Sequence, residues 1–138
     1  MLLCMFIIIW VSDVGAYLFG STLGQKFGPK LFPTISPHKS WVGCIGGFAC
    51  ALGAGYGMHC LDWLPFSELA WYHCLAIAAI MNITGVYGDL IESQWKRYYG
   101  VKDSGNIIPG HGGMLDRFDS ALVAIPAATV YMMCFDIL

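Results

Sequence analysis

Residues Leu69 to Arg97 read LAWYHCLAIAAIMNITGVYGDLIESQWKR. As far as Ile91 the run holds a single carboxylate, Asp89, and no lysine or arginine. Its length is near the ~20 residues that carry a helix across ~30 Å of hydrocarbon. A backbone in lipid must satisfy its own hydrogen-bonding groups, so the run is read as a helix. From Glu92 the character changes, and Glu92, Lys96 and Arg97 follow in quick succession. Continuing the helix to Arg97 puts Asp89, Glu92, Ser93 and Lys96 on one face, by three- and four-residue spacing. The stretch therefore predicts a membrane helix with a polar extension, and Asp89 at the boundary between the two. An ionised carboxylate is costly in that setting, ~2.5–3.5 kcal/mol at a bilayer centre and less near an interface.

Three more apolar runs lie outside this one, from about Leu2 to Leu23, Trp41 to Leu61 and Ala121 to Leu138. Together they predict an all-α polytopic membrane protein with about four transmembrane helices. Residues 1–138 are read as a single membrane-embedded domain. Composition agrees: 57% of the residues are hydrophobic and 12% charged, against about 25% charged in soluble domains. The mean hydropathy is +0.63. The N-terminal run has no basic segment before it and no small-residue cleavage site ahead of Asp13, so it reads as a retained helix. Trp10, Trp41, Trp63 and Trp71 read as interface anchors.

The cations settle the expected orientation. Lys26, Lys30 and Lys39 lie between the first two runs, and Lys96, Arg97, Lys102 and Arg117 between the last two. The middle connection, Asp62 to Glu68, carries only acids. The positive-inside rule puts both basic connections in the cytoplasm and both termini outside. So few cations, with a net charge of −2, argue against nucleic acid as a partner. Cys4, Cys44, Cys50, Cys60, Cys74 and Cys134 sit in or beside apolar runs without a paired CxxC spacing, so they read as packing residues. In the second run Gly43, Gly47, Ala51 and Gly55 recur every four residues, a ridge that lets helix backbones approach closely.

Chemistry concentrates in the last polar connection. Asp89, Glu92, Lys96 and Arg97 are followed by Lys102 and Asp103, then by Pro109-Gly110-His111-Gly112-Gly113-Met114-Leu115-Asp116-Arg117-Phe118-Asp119. A helix starting near Met114 would carry Asp116 and Asp119 on one side, three apart. Two acidic helix faces at a membrane surface suit a shared divalent cation, and oxygen ligands favour magnesium over zinc. Lys96, Arg97, Lys102 and Arg117 are placed to neutralise phosphate groups.

The stretch from Ser93 to Asp119 resembles the signature of the phosphatidate cytidylyltransferase family. The residues that carry the likeness are Ser93, Lys96, Arg97, Lys102, Asp103, Gly105, Ile108, Pro109, His111, Gly112, Gly113, Asp116, Arg117 and Asp119. Asp13, Ala16, Tyr17 and Gly20 are similar to a second family element. Ser36-Pro37-His38-Lys39-Ser40-Trp41, with Gly43, Gly46 and Gly47, resembles a third. Trp95 stands where the family has an aliphatic residue or Phe, His38 where it has Lys, and Val42 where it has Glu. The likeness covers essentially the whole chain and corresponds to the conserved C-terminal half of family members, without their N-terminal helices.

The resemblance implies a reaction of CTP with phosphatidic acid that yields CDP-diacylglycerol and pyrophosphate, at the inner membrane of a bacterium. It implies magnesium at Asp89 and Asp116, with potassium as a second cation nearby. Lys96, Arg97, Lys102 and Arg117 would bind phosphate, with Asp103 and Asp119 orienting them, and His111 would either donate to a phosphate or serve as a turn residue between its glycines. Ser36, Lys39, Ser40 and Ser93 would contact substrate, with Asp13 and Tyr17 lining the site from within the membrane. Four helices make thin cover for a nucleotide and a lipid, so a homodimer, or a partner chain supplying further helices, is expected. Other readings stand beside this one. They are a non-catalytic or partner-dependent fragment of the same family, a related transferase acting on an ether lipid or polyprenol, and a small ion-coupled transporter using Asp13 and Asp89.

Overall fold

The computed structural model describes residues 1–24, 30–32, 36–63, 65–100 and 115–137, with side chains at 30–32, 36–39 and 115–119 left aside. Helix α1 spans Leu2–Phe19 and runs on through a π-helical turn, Gly20–Gly24. A short antiparallel ribbon follows, β1 (Lys30–Phe32) on β2 (Ser36–Ser40). Lys30 pairs with Ser40 and Phe32 with Ser36, so the register slips between the two. Helix α2 is Trp41–Cys60, α3 is Trp71–Tyr98 and α4 is Leu115–Cys134. The expected all-α membrane architecture stands, and the ribbon is a local addition within the first polar connection.

Among the described residues three helices are long and apolar enough to cross a membrane: Leu2–Gly24, Trp41–Cys60 and Trp71–Tyr98. Helix α3 is one unbroken helix of 28 residues, about 42 Å long at 1.5 Å per residue. That exceeds the ~30 Å of hydrocarbon, and the charged residues Glu92, Lys96 and Arg97 all fall in its last two turns. The fourth helix starts earlier than its apolar run and stops earlier, at Cys134, leaving Ser120–Cys134 as its shorter apolar part.

The stops have local causes. Asp136 takes a left-handed conformation (φ 50°), and Ile137 N–H turns back to the Met132 carbonyl at 2.9 Å. Asp62 (φ 52°) ends α2 in the same way, with Trp63 N–H on the Met58 carbonyl at 3.0 Å. This closes orphan carbonyls with Asp in the place that glycine usually takes. At its start α2 is capped by Ser40, whose hydroxyl accepts from Gly43 N–H at 3.1 Å.

The outer surface of the bundle is as apolar as its core. Leu3, Trp10, Val14, Leu18, Ile45, Leu122 and Val130 point outward, while the polar side chains Ser12, Ser40 and Asn82 are buried. Between lipid-facing helices there is little hydrophobic driving force, so close packing must hold them. Helix α1 packs chiefly on α2, α2 on α3, and α3 on α4. The small-residue ridge does this work. A Cβ on Gly47 would stand 2.9 Å from Ala16 Cβ and 3.0 Å from the Ser12 carbonyl oxygen of α1. Two turns further on, a Cβ on Gly55 would meet the Cys74 carbonyl of α3 at 2.9 Å. Ile8, Ile77, Ala78, Met81, Ala124, Ala128 and Met132 fill the core between the helices. Pro126 lies inside α4 and offers no N–H to the preceding turn, a loss that membrane helices tolerate when neighbours cover it.

Candidate functional site

A cavity of about 350 Å³ opens where the C-terminal part of α1, the start of α2, the second half of α3 and the start of α4 converge. Both basic connections leave from this end of the bundle. The inner wall is apolar, from Ile8, Ile9, Met81 and Val86. The polar lining is Ser12, Asp13, Tyr17, Ser40, Asn82, Asp89 and Ser120, with Cys44 beside them.

Each helix delivers its polar groups for a legible reason. On α1, Ser12 and Asp13 follow an apolar run, and Ala16 and Gly20 keep the next turns narrow against α2. Ser40 serves twice. One lone pair of its hydroxyl caps α2, while its O–H remains for the cavity. On α3, Asn82, Gly85 and Asp89 recur at three and four residues and so share a face. Gly85 brings α4 close: a Cβ there would lie 3.6 Å from Ser120 Cβ.

Of the residues expected to form a site, Asp13, Tyr17, Ser40 and Asp89 line this one cavity. Ser93 donates to an Asp89 carboxylate oxygen at 3.5 Å, one turn along α3. Lys96 pairs with Glu92 at 3.3 Å, so the polar extension has its predicted i,i+4 contacts. Arg97 is exposed in the last turn of α3, where a cation also suits the helix dipole. Asp116, Arg117 and Asp119 fall in the first turns of α4, and Ser36 and Lys39 on β2, with side chains outside the description. Lys102, Asp103 and His111 lie outside the described residues. His59 and His73 sit at the other end of the bundle. His59 Nδ1 is 3.3 Å from the Phe66 carbonyl and His73 Nδ1 is 3.0 Å from the Tyr131 hydroxyl, both plain structural contacts.

Three lining residues escaped the sequence reading: Ser12, Asn82 and Ser120. Asn82 had a signal, since an amide inside an apolar run is costly to lipid unless it has a partner. Ser120 stands one turn after Asp116 and shares its helix face. As a donor set the cavity offers carboxylate, hydroxyl and amide groups, which suits a hard cation that keeps several waters. Among the described residues no three His, Cys, Asp or Glu side chains converge into a ready metal cluster.

This arrangement can be set beside known proteins. The sequence profile described as the cytidylyltransferase family matches residues 1–135. The chain belongs to that family. It is 44% identical over 128 residues to a phosphatidate cytidylyltransferase of Staphylococcus aureus (strain COL), covering 93% of this chain and 47% of that protein. The phosphatidate cytidylyltransferase of Staphylococcus haemolyticus (strain JCSC1435) is 44% identical, with the same coverage. That of Staphylococcus epidermidis (strain ATCC 35984) is 41% identical over the same share. The chain spans about half the length of the curated relatives it matches.

Proposed function

We propose that this protein transfers the cytidylyl group of CTP to phosphatidic acid, giving CDP-diacylglycerol and pyrophosphate, at the cytoplasmic face of a bacterial inner membrane. One observation carries the reading. Asp13 and Asp89, from different helices, line a single cavity at the end of the bundle from which both lysine-bearing connections leave. Such a site meets lipid on its flanks and water at its mouth, as a reaction between a lipid phosphate and a nucleotide requires.

A phosphatidate oxygen attacks the α-phosphorus of CTP, a new P–O bond forms, and the bond to the β-phosphate breaks to release pyrophosphate. The nucleophile is already anionic near neutral pH, so positioning and charge neutralisation are the main demands. Lys96, Arg97, Lys102 and Arg117 hold the triphosphate and the lipid phosphate in this reading, with Asp103 and Asp119 orienting those cations. His111, Ser36, Lys39, Ser40 and Ser93 add hydrogen bonds, and Asp13 and Tyr17 form the wall within the membrane. Asp89 and Asp116 are the residues that would hold magnesium, with potassium as a second cation nearby. Bound there, the magnesium would neutralise phosphate charge and ease the departure of pyrophosphate.

Helix register supports the Asp89–Asp116 pairing. Gly85 of α3 neighbours Ser120 of α4, and His73 meets Tyr131, so the helices run antiparallel. One turn forward from Gly85 is Asp89, and one turn back from Ser120 is Asp116. Because four helices make thin cover for a nucleotide and a lipid, we also propose that further helices, from a partner chain or a second copy, complete the cover of the site.

The test is direct. The chain, purified in detergent, is given phosphatidic acid, magnesium and labelled CTP. Labelled CDP-diacylglycerol is expected, absent with a chelator and absent with Asp116→Asn. Folded chain that makes no product with magnesium present, both alone and in host membranes that carry any partner chain, would contradict the proposal.

A further inference from the structure

A buried polar contact joins α1 to α3, a hydrogen bond from the Asn82 amide to the Ser12 hydroxyl. Both side chains are only 6% exposed, and both form part of the cavity wall. Elsewhere α1 rests mainly on α2 and touches α3 much less. This contact therefore does more than fill space: it fixes how α1 is rotated relative to α3.

The consequence falls on two carboxylates. Ser12 directly precedes Asp13, and Asn82 stands two helical turns before Asp89 on the same face of α3. Successive residues on a helix differ by about 100° in direction, so holding Ser12 toward α3 also fixes the direction of Asp13. The Ser12 backbone is gripped from the other side, since its carbonyl lies against Gly47 of α2, 3.0 Å from where a Cβ would stand. With Ser12 held on two sides, α1 has one rotational setting. In that setting Asp13 lines the same cavity as Asp89.

We propose that Ser12 and Asn82 are positioning residues that keep Asp13 turned into the cavity opposite Asp89. The effect on catalysis rests on the transferase reading above, whereas the effect on Asp13 does not. Asn82→Leu is the informative change. It removes the bond while keeping similar volume, and the Ser12 hydroxyl left behind can turn to a carbonyl one turn back in its own helix, so little stability is lost. Ser12→Ala is the second variant, chosen in case the first alters expression, and Ser12→Thr should restore the contact.

The experiment has two arms. In the first, the folded chain in detergent is treated with a hydrophobic carbodiimide, which labels carboxyl groups that lie protonated in apolar surroundings, and labelling of Asp13 is read by peptide mass spectrometry. Asn82→Leu and Ser12→Ala should raise it several-fold over wild type and Ser12→Thr, with thermal stability of Asn82→Leu preserved. In the second, cytidylyl transfer is followed. Its kcat should fall by about tenfold in Asn82→Leu, with the magnesium concentration for half-maximal rate moved upward. A purely structural pair would move the stability and leave the magnesium dependence alone. Unchanged Asp13 labelling in both variants would overturn the positioning role. A wild type without transferase activity whose Asp13 labelling still rises in the variants would sustain the positioning role and defeat the functional one.

Discussion

Gly47 of α2 touches the backbone of Ser12 of α1 so closely that a Cβ would lie 3.0 Å from the Ser12 carbonyl oxygen. The neighbouring atoms are backbone and Ala16, which have no rotamer to yield. Gly47→Leu should therefore push α1 away from α2. Overpacking of this kind costs about 1–3 kcal/mol, read as a fall in thermal stability in detergent. Gly53, whose added Cβ would meet nothing within 4 Å, is the control, and Gly53→Ala should hold its stability.

Lys96 offers a different separation. It pairs with Glu92 at 3.3 Å on the polar extension of α3. An ion pair of this class contributes roughly 0–1 kcal/mol, so Lys96→Gln should change stability little. If the extension meets phosphate, the same variant should raise the KM for CTP or phosphatidic acid about tenfold, a loss of ~1.4 kcal/mol in transition-state binding. Steady-state kinetics with each substrate varied in turn would show it. A stability loss with unchanged KM values would assign Lys96 to the fold alone.

At the far end of the bundle, the Tyr131 hydroxyl and His73 Nδ1 lie 3.0 Å apart, tying α4 to α3. Tyr131→Phe should cost about 1 kcal/mol of stability and leave the transfer rate within about twofold. Thermal unfolding and the labelled-CTP assay, run on one preparation, check both halves.

The sequence made some of this legible and hid the rest, for physical reasons. The apolar run ending at Ile91 and the charged residues after it foretold one continuous helix past Asp89, and α3 does run from Trp71 to Tyr98. The four-residue spacing of Gly43, Gly47, Ala51 and Gly55 foretold close helix contact, because spacing along one helix is a local property. The ribbon at Lys30–Phe32 and Ser36–Ser40 gave no warning, since it is brief and contains Pro37, which cannot donate to a ladder. The Ser12–Asn82 contact was invisible for another reason. The amide in an apolar run says that some partner is needed, but nothing local says which of the buried hydroxyls supplies it. Lys102, Asp103 and His111, expected at the site, lie outside the described residues.

The most direct test of the central claim is the rate of cytidylyl transfer from labelled CTP to phosphatidic acid by Asp89→Asn, with thermal stability measured alongside. Asp89 lines the cavity and removing its charge changes almost no volume. A fall in kcat of at least about a hundredfold, with stability equal to or above wild type, is the predicted result. Asp89→Asn that turns over CTP at the wild-type rate would contradict a reaction centre in this cavity.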